Sequence, residues 1–345
     1  MQKPFAGIAI LLLGSGLAWA GLAESGWAQD TALWGTRGIS PLSVRQGLLG
    51  SCYFHATIAA LAKATPGTLR NAIRRTPNGS YKVHFFSGPD EAVYQSDVDY
   101  GRAHGYDRSD GAWVAVLMRA YAQRALRKSL VDAIQKSDLI PVFIRPMAIS
   151  WLDGSDELLV AYDRAIRTVV HQDGSMDQYA LKQNLATELH AKGVPSSEAQ
   201  ALVGFLDEKG FFATLAHTVQ ENGEVFGAYK SLGQGGIPQR VMEAFLGQGN
   251  TGSTNDYQKT IDQLQRFRSG GVAMVSGTKP APPNQQIASE SWWVASHCYT
   301  LLGYNDAAQT VTLRNPWGER PSPGGVFTLP LSVYLNGFES YMFSQ

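Results

Sequence analysis

Apolar residues recur at helical spacing through SCYFHATIAALAK (51–63) and again through AWVAVLMRAYAQRAL (112–126), so the first third of the chain is predicted to hold two core-facing helices. Pro66-Gly67 is expected to end the first of them. Between the two, Tyr81 to Phe86 and Ala92 to Val98 read as short strands joined by a turn at Gly88-Pro89-Asp90, and Asp30 to Val44 reads as extended. From Arg127 to about Glu224 the pattern becomes helical almost throughout, in LVDAIQK, ELLVAYDRAIRTVV, DQYALKQNLATELHAKG, SSEAQALVGFLDEKG and FFATLAHTVQENG. A Gly-rich turn at Leu232 to Gly236 and helices at Val241–Leu246 and Tyr257–Ser269 follow. The remainder is strand-like: Gly271–Ser276, then beyond a Pro-rich loop a hairpin of Cys298–Tyr304 and Thr310–Arg314, then Gly325–Leu329 and Glu339–Phe343. Helices gather early and strands late, which predicts an α+β fold.

The N-terminus stands apart from this pattern. Lys3 precedes an apolar run from Phe5 to Ala20, shorter than the ~20 residues of a membrane-spanning helix. Ala18-Trp19-Ala20 and Gly26-Trp27-Ala28 both have the small-x-small form of a cleavage site, so residues 1–28 read as a signal peptide, with a retained anchor as the alternative. The expected location is secreted or periplasmic. Lys plus Arg and Asp plus Glu are equal at 29 each, which leaves no basic stripe for nucleic acid or polybasic patch for a membrane. Cys52 and Cys298 are too few for a disulfide framework in an exported chain.

Cys52 changes the picture most. It follows the loop Gln46-Gly-Leu-Leu-Gly50-Ser and opens a helix, where backbone N–H groups and the helix dipole favour a thiolate. Gln46, six residues upstream, is spaced to donate into an oxyanion hole beside it. Of seven histidines, His297 begins a strand whose return partner ends at Asn315. Pairing Tyr304 with Gln309 would set His297 opposite residue 316, close enough for Asn315 to accept the imidazole N–H and fix its tautomer. Trp317 would shield that bond from water. His55, one turn into the helix, reads as a buried, hydrogen-bonded histidine. Strand alternation predicts that Cys298 faces the core, packs there and forms no disulfide with Cys52. Asp97 and Asp99 read as solvated, and no metal-binding motif appears.

Taken in order, these blocks resemble the calpain family of cysteine peptidases. Gln46-Gly-Leu-Leu-Gly-Ser-Cys52-Tyr-Phe is similar to the family's Gln-Gly-x-x-Gly-Asp-Cys-Trp-Phe; Trp113 to Ala122, Tyr229 to Gly247, His297 to Tyr304 and Arg314 to Glu319 are similar to its later blocks. The resemblance implies a two-lobed papain-like core, with residues 29–126 as the first lobe and 225–345 as the second. Residues 127–224 would be a helical insertion. Cys52, His297 and Asn315 would be catalytic with Gln46 as the oxyanion donor, Trp317 the shielding aromatic, and Gly50 part of the substrate-binding or shielding set beside it. Calcium-activated members carry acidic residues where Ser43 and Gly111 stand here, so no cofactor is expected, calcium included.

The implied activity is that of an exported cysteine endopeptidase acting on a protein or peptide substrate, with a further protein partner or inhibitor expected at the helical insertion. Acyl or amide transfer by the same triad is the first alternative. A catalytically silent scaffold that binds a partner through the insertion is the second, against which the retention of Gln46, Cys52, His297 and Asn315 together argues.

Overall fold

The protein is described by a computed structural model that covers residues 31–88, 90–136, 177–191, 193–208, 229 and 232–345. The expected leader and the helical segments around 157–170 and 211–223 lie outside the described residues. Among the described residues no helix is long and apolar enough to cross a membrane.

The chain is α+β, with antiparallel sheets. In chain order the first elements are α1 (Thr31–Trp34), α2 (Cys52–Ala64), α3 (Pro66–Ala72), β1 (Ile73–Arg75), β2 (Tyr81–Val83), β3 (Glu91–Val93), α4 (Gln95–Ala103) and α5 (Trp113–Lys136). Helices α6 (Gln178–Ala191) and α7 (Ser196–Glu208) come next. Then follow α8 (Pro238–Leu246), β4 (Thr251–Thr254), α9 (Tyr257–Arg268), β5 (Met274–Thr278), α10 (Gln285–Ala288), β6 (Cys298–Asn305), β7 (Thr310–Arg314), β8 (Val326–Pro330), α11 (Leu331–Gly337) and β9 (Phe338–Ser344). Strands β1, β2 and β3 form a small sheet. The other six form a second, in the order β4-β9-β5-β6-β7-β8.

Helix α2 is the centre of the first half. Residues 53–62 are all buried, so it has no solvent face, as expected of a helix enclosed on every side. It packs in one apolar cluster with Trp113, Met118, Phe85, Val241 and Phe245. Strand β5 alternates between this cluster and a second one. Val275 faces α2, while Met274 joins Tyr299, Leu301, Leu313, Tyr334 and Phe338 on the other face of the large sheet. One face of the sheet therefore carries α2 and the other carries α9 and α11.

Several expectations shift. Pro66 begins α3 rather than merely ending α2, because a proline lacks an N–H and suits the first helical position. The expected strand at Ala92 to Val98 stops at Val93, and Gln95 opens α4. Asp97 is buried rather than solvated: its carboxylate accepts from the Tyr94 N–H at the helix start and lies 3.7 Å from Arg119. Helix α5 runs on through residue 126, where a change of character was expected, to Lys136. Helices α6 and α7 match two of the expected segments of the insertion.

The β6–β7 hairpin also pairs differently. Asn305 faces Thr310 and Tyr304 faces Val311, because the turn occupies residues 306–309, with Asn305 Oδ1 accepting from Ala308 N–H and Gln309 at φ +50°. A bulge between Leu301 and Gly303 then moves the register by one, to Thr300 opposite Arg314.

Candidate active site

Cys52 is the first residue of α2, with Ser51 as the N-cap, so its sulfur lies at the positive end of a thirteen-residue helix. The loop before it is held in place by close main-chain contacts. A side chain on Gly50 would put its Cβ 2.3 Å from the Gly233 carbonyl, so only glycine lets these two loops touch. Gln46 is buried; its Nε2 donates to the Leu49 carbonyl at 2.6 Å, and its backbone N–H donates to the Pro316 carbonyl at 2.9 Å. One Nε2 hydrogen therefore shapes the loop and the second is left for another acceptor. The Pro316 bond ties the loop before Cys52 to the residue after Asn315.

His297 sits just before β6, and its main chain is fixed on both sides by Thr278. The Thr278 Oγ1 accepts from His297 N–H at 2.9 Å, and the Thr278 N–H donates to the His297 carbonyl at 2.9 Å. The imidazole Nε2 lies 3.1 Å from Asn315 Oδ1. That oxygen also accepts the Trp317 backbone N–H at 3.0 Å, which identifies it as the acceptor and makes His297 Nε2 the donor. Nδ1 is then the nitrogen left for Cys52. Asn315 is completely buried. The Trp317 ring lies 4.7 Å from the imidazole on one side, and the edge of Tyr299 lies 4.9 Å away on another. His297 is only 5% exposed as a result.

The two sides of the site meet at Cys52. A hydrogen bond from the Cys298 thiol is the main influence that lowers the Cys52 thiol, to about 4; burial opposes it, and the hydrogen bond and charge of His297 add to the lowering. Cys298 is pushed well above the usual thiol range, first by that same bond and then by burial. Cys298 packs against the α2 apolar cluster, as expected of a core-facing residue, but it also lines the cleft, which alternation did not predict. Alternation applies only inside a strand, and β6 begins at Cys298, while Ser296 has φ +49°. Around that irregular start, Ser296, His297 and Cys298 all line one groove of about 560 Å³, together with Ile237, Ser253, Thr278 and Ser340. A second hollow of about 550 Å³, with Tyr53, Tyr121, Arg124 and Glu243 on its walls, shares Gly236 and Ile237 with it.

The structure thus brings Cys52, His297, Asn315 and Trp317 together, and sets Gln46 in the adjoining loop. Gly50 is packed against Gly233. Thr278, Tyr299 and Cys298 were not foreseen in these places. A cysteine directly after the presumed base was the one available signal, and nothing local in the sequence marks Thr278. His55 is buried behind the nucleophile, with Nδ1 3.1 Å from Ser51 Oγ and Nε2 3.4 Å from the buried Asp107.

The loop where the family's calcium ligands would stand is filled from within. Ser43 Oγ donates to the Gly38 carbonyl, and a Cβ on Gly111 (φ +81°) would come 2.3 Å from Gly35 N. Asp110, next to it, accepts from the Thr36 and Arg37 N–H groups at 2.9–3.1 Å and from Thr36 Oγ1. Burial pushes this carboxyl up, but the Arg37 and Thr36 donors outweigh it and hold the group below its usual range. These residues do not fit a divalent cation, which needs several free oxygens. Among the described residues no three His, Cys, Asp or Glu side chains are grouped to hold a metal ion.

No family model matches this chain, and no curated protein matches it. Among solved structures it is similar to PepW from Lactobacillus rhamnosis HN001 (DR20), a crystal structure determined as the selenomethionine derivative. The identity is 11% and the TM-score 0.31, over 94% of this chain and 84% of that one.

A thiol at a helix start, an imidazole with one nitrogen committed to a buried carboxamide, and an open groove beside them form an arrangement suited to nucleophilic attack on a carbonyl.

Proposed function

We propose that this protein is an exported, calpain-like cysteine endopeptidase with a two-lobed papain-like core, the α2 cluster forming one lobe and the large sheet the other. The observation that carries the reading is the placement of Cys52 at the start of α2 beside the hydrogen-bonded pair His297–Asn315, with His297 near enough to help lower the Cys52 thiol. The Cys52 thiolate attacks the scissile carbonyl and forms a C–S bond. The Cys52 backbone N–H and the second Nε2 hydrogen of Gln46 stabilise the oxyanion. Protonated His297 gives its Nδ1 proton to the leaving amine as the C–N bond breaks. The imidazole then takes a proton from water, which attacks the thioester and frees Cys52. Asn315 keeps the ring in the required tautomer throughout, and Trp317 keeps water from that bond.

The test is to treat the native protein with an electrophilic peptide and to locate the adduct by mass spectrometry. The adduct is expected on Cys52, and the Cys52→Ala variant should neither react nor cleave an unfolded protein. An adduct on Cys298 with Cys52 untouched would remove the assignment. Product analysis with an added amine distinguishes hydrolysis from acyl transfer.

A further inference from the structure

Two cysteines, far apart in sequence, are neighbours at the cleft. Thr300 lies two residues beyond Cys298 on β6, and its Oγ1 donates to the Ala56 carbonyl at 2.8 Å. Ala56 is one helical turn beyond Cys52 on α2. Two strand residues advance about 6.6 Å and four helical residues about 6 Å, so the Thr300–Ala56 contact sets Cys298 beside Cys52 as the preceding rung. Cys298 packs against the α2 cluster on this face and is the neighbour that most lowers the Cys52 thiol. Both are unbridged and partly exposed, and Cys298 lines the open groove.

We propose that Cys298 is a resolving thiol, and that a peroxide converts the pair into a reversible Cys52–Cys298 disulfide that takes the nucleophile out of use. Loss of activity as a consequence rests on the peptidase reading; the covalent step does not. The Cys52 thiolate attacks one oxygen of hydrogen peroxide, forming an S–O bond and breaking the O–O bond. Hydroxide leaves and takes a proton from His297, giving water and the Cys52 sulfenic acid. The Cys298 sulfur then attacks the Cys52 sulfur, forming the S–S bond as the S–O bond breaks. The Cys298 proton leaves with that hydroxide as a second water. Two thiols lose two electrons in all and the peroxide gains them. A dithiol reverses the step by exchange.

The order of events follows from the asymmetry between the two thiols. Cys52 holds the negative charge and reacts first, while Cys298 keeps its proton until the sulfenic acid is formed. Without a neighbouring thiol, the sulfenic acid of an exposed nucleophile goes on to sulfinic acid, which dithiols do not reduce. Cys298 therefore preserves the site through an oxidative episode.

The experiment treats the full chain with a several-fold molar excess of hydrogen peroxide, enough for two successive oxidations of one thiol, digests it without reductant and measures peptide masses. A peptide joining Cys52 to Cys298, lighter by two hydrogens than the sum of its parts and separated by dithiothreitol, is expected. In Cys298→Ser the same treatment should yield the Cys52 sulfinic acid, not recovered by dithiothreitol. Wild-type protein in which Cys52 becomes sulfinic while Cys298 stays free would overturn the proposal. Since the readout is a mass, a linked peptide in a protein that cleaves nothing would support the switch and remove the peptidase reading. Cleavage without a linked peptide would do the reverse.

Discussion

On the helix side of the groove Cys52 is placed by main chain packed on main chain, whereas on the sheet side His297 is placed by side-chain hydrogen bonds. The Gly50–Gly233 approach and the Gln46 backbone N–H bonded to the Pro316 carbonyl belong to the first kind. The Thr278 hydroxyl, the Asn315 carboxamide and the Trp317 ring belong to the second. A position built from backbone fails when volume is added. A position built from side chains fails when a group is taken away. The two sides should thus respond to opposite kinds of substitution.

The largest effect is expected on the sheet side. Asn315→Ala removes the acceptor that fixes the His297 tautomer and should lower kcat on the order of 10²–10⁴-fold with KM little changed, as for loss of a triad's orienting member. Steady-state kinetics on a peptide substrate measures this, and full activity would mean that the imidazole is held by another group. On the helix side Gly50→Ala should act by crowding. Its Cβ meets a carbonyl at 2.3 Å, a contact that backbone cannot relieve without moving, so a loss of about 1–3 kcal/mol is expected in urea unfolding.

Cys298→Ala probes the junction of the two sides. The hydrogen bond that does most to lower the Cys52 thiol is lost, so its ionisation moves up from about 4. The thiolate form is then lost at a higher pH on acidification, and the acid limb of the Cys52 alkylation rate shifts upward by the same amount. An unmoved inflection would assign the lowering to His297 alone. The smallest effect is a null one: chelation of calcium should leave cleavage of an unfolded substrate unchanged, given the internally bonded Asp110 loop. Activity that vanishes with chelator and returns with calcium would place the ion elsewhere.

Much of this arrangement was readable in the sequence because it depends on local pattern. Helix α2 announces itself by its apolar residues and by the Gly-Ser step before Cys52. The β6–β7 hairpin follows from two apolar runs around Asn305 to Ala308. The juxtaposition of His297 with Asn315 survived a wrong register, since a hairpin keeps its ends near each other even when the turn is misjudged by a residue. The failures lie where tertiary contacts override local preference. Asp97 looked solvated because its partner, Arg119, is 22 positions away on another helix. Cys298 reaches the cleft as well as the core because it stands at the first position of β6, where strand alternation does not yet hold.

The contacts between residues 44–46 and 314–319 carry a thermodynamic consequence. Arg314 is buried and, among the described residues, in no ion pair; burial, and then the charge of Arg37, lower its guanidinium to about 10, and it donates to the Val44 carbonyl. Gln46 reaches Pro316, Arg45 reaches Glu319, and Thr300 reaches Ala56. Pulling the α2 cluster from the sheet would break these hydrogen bonds and expose the apolar surface packed between the two sides, Cys298 against the α2 cluster included. Each side therefore gains from the presence of the other, and denaturant unfolding followed separately on α2 and on β6 is expected to show one coincident step.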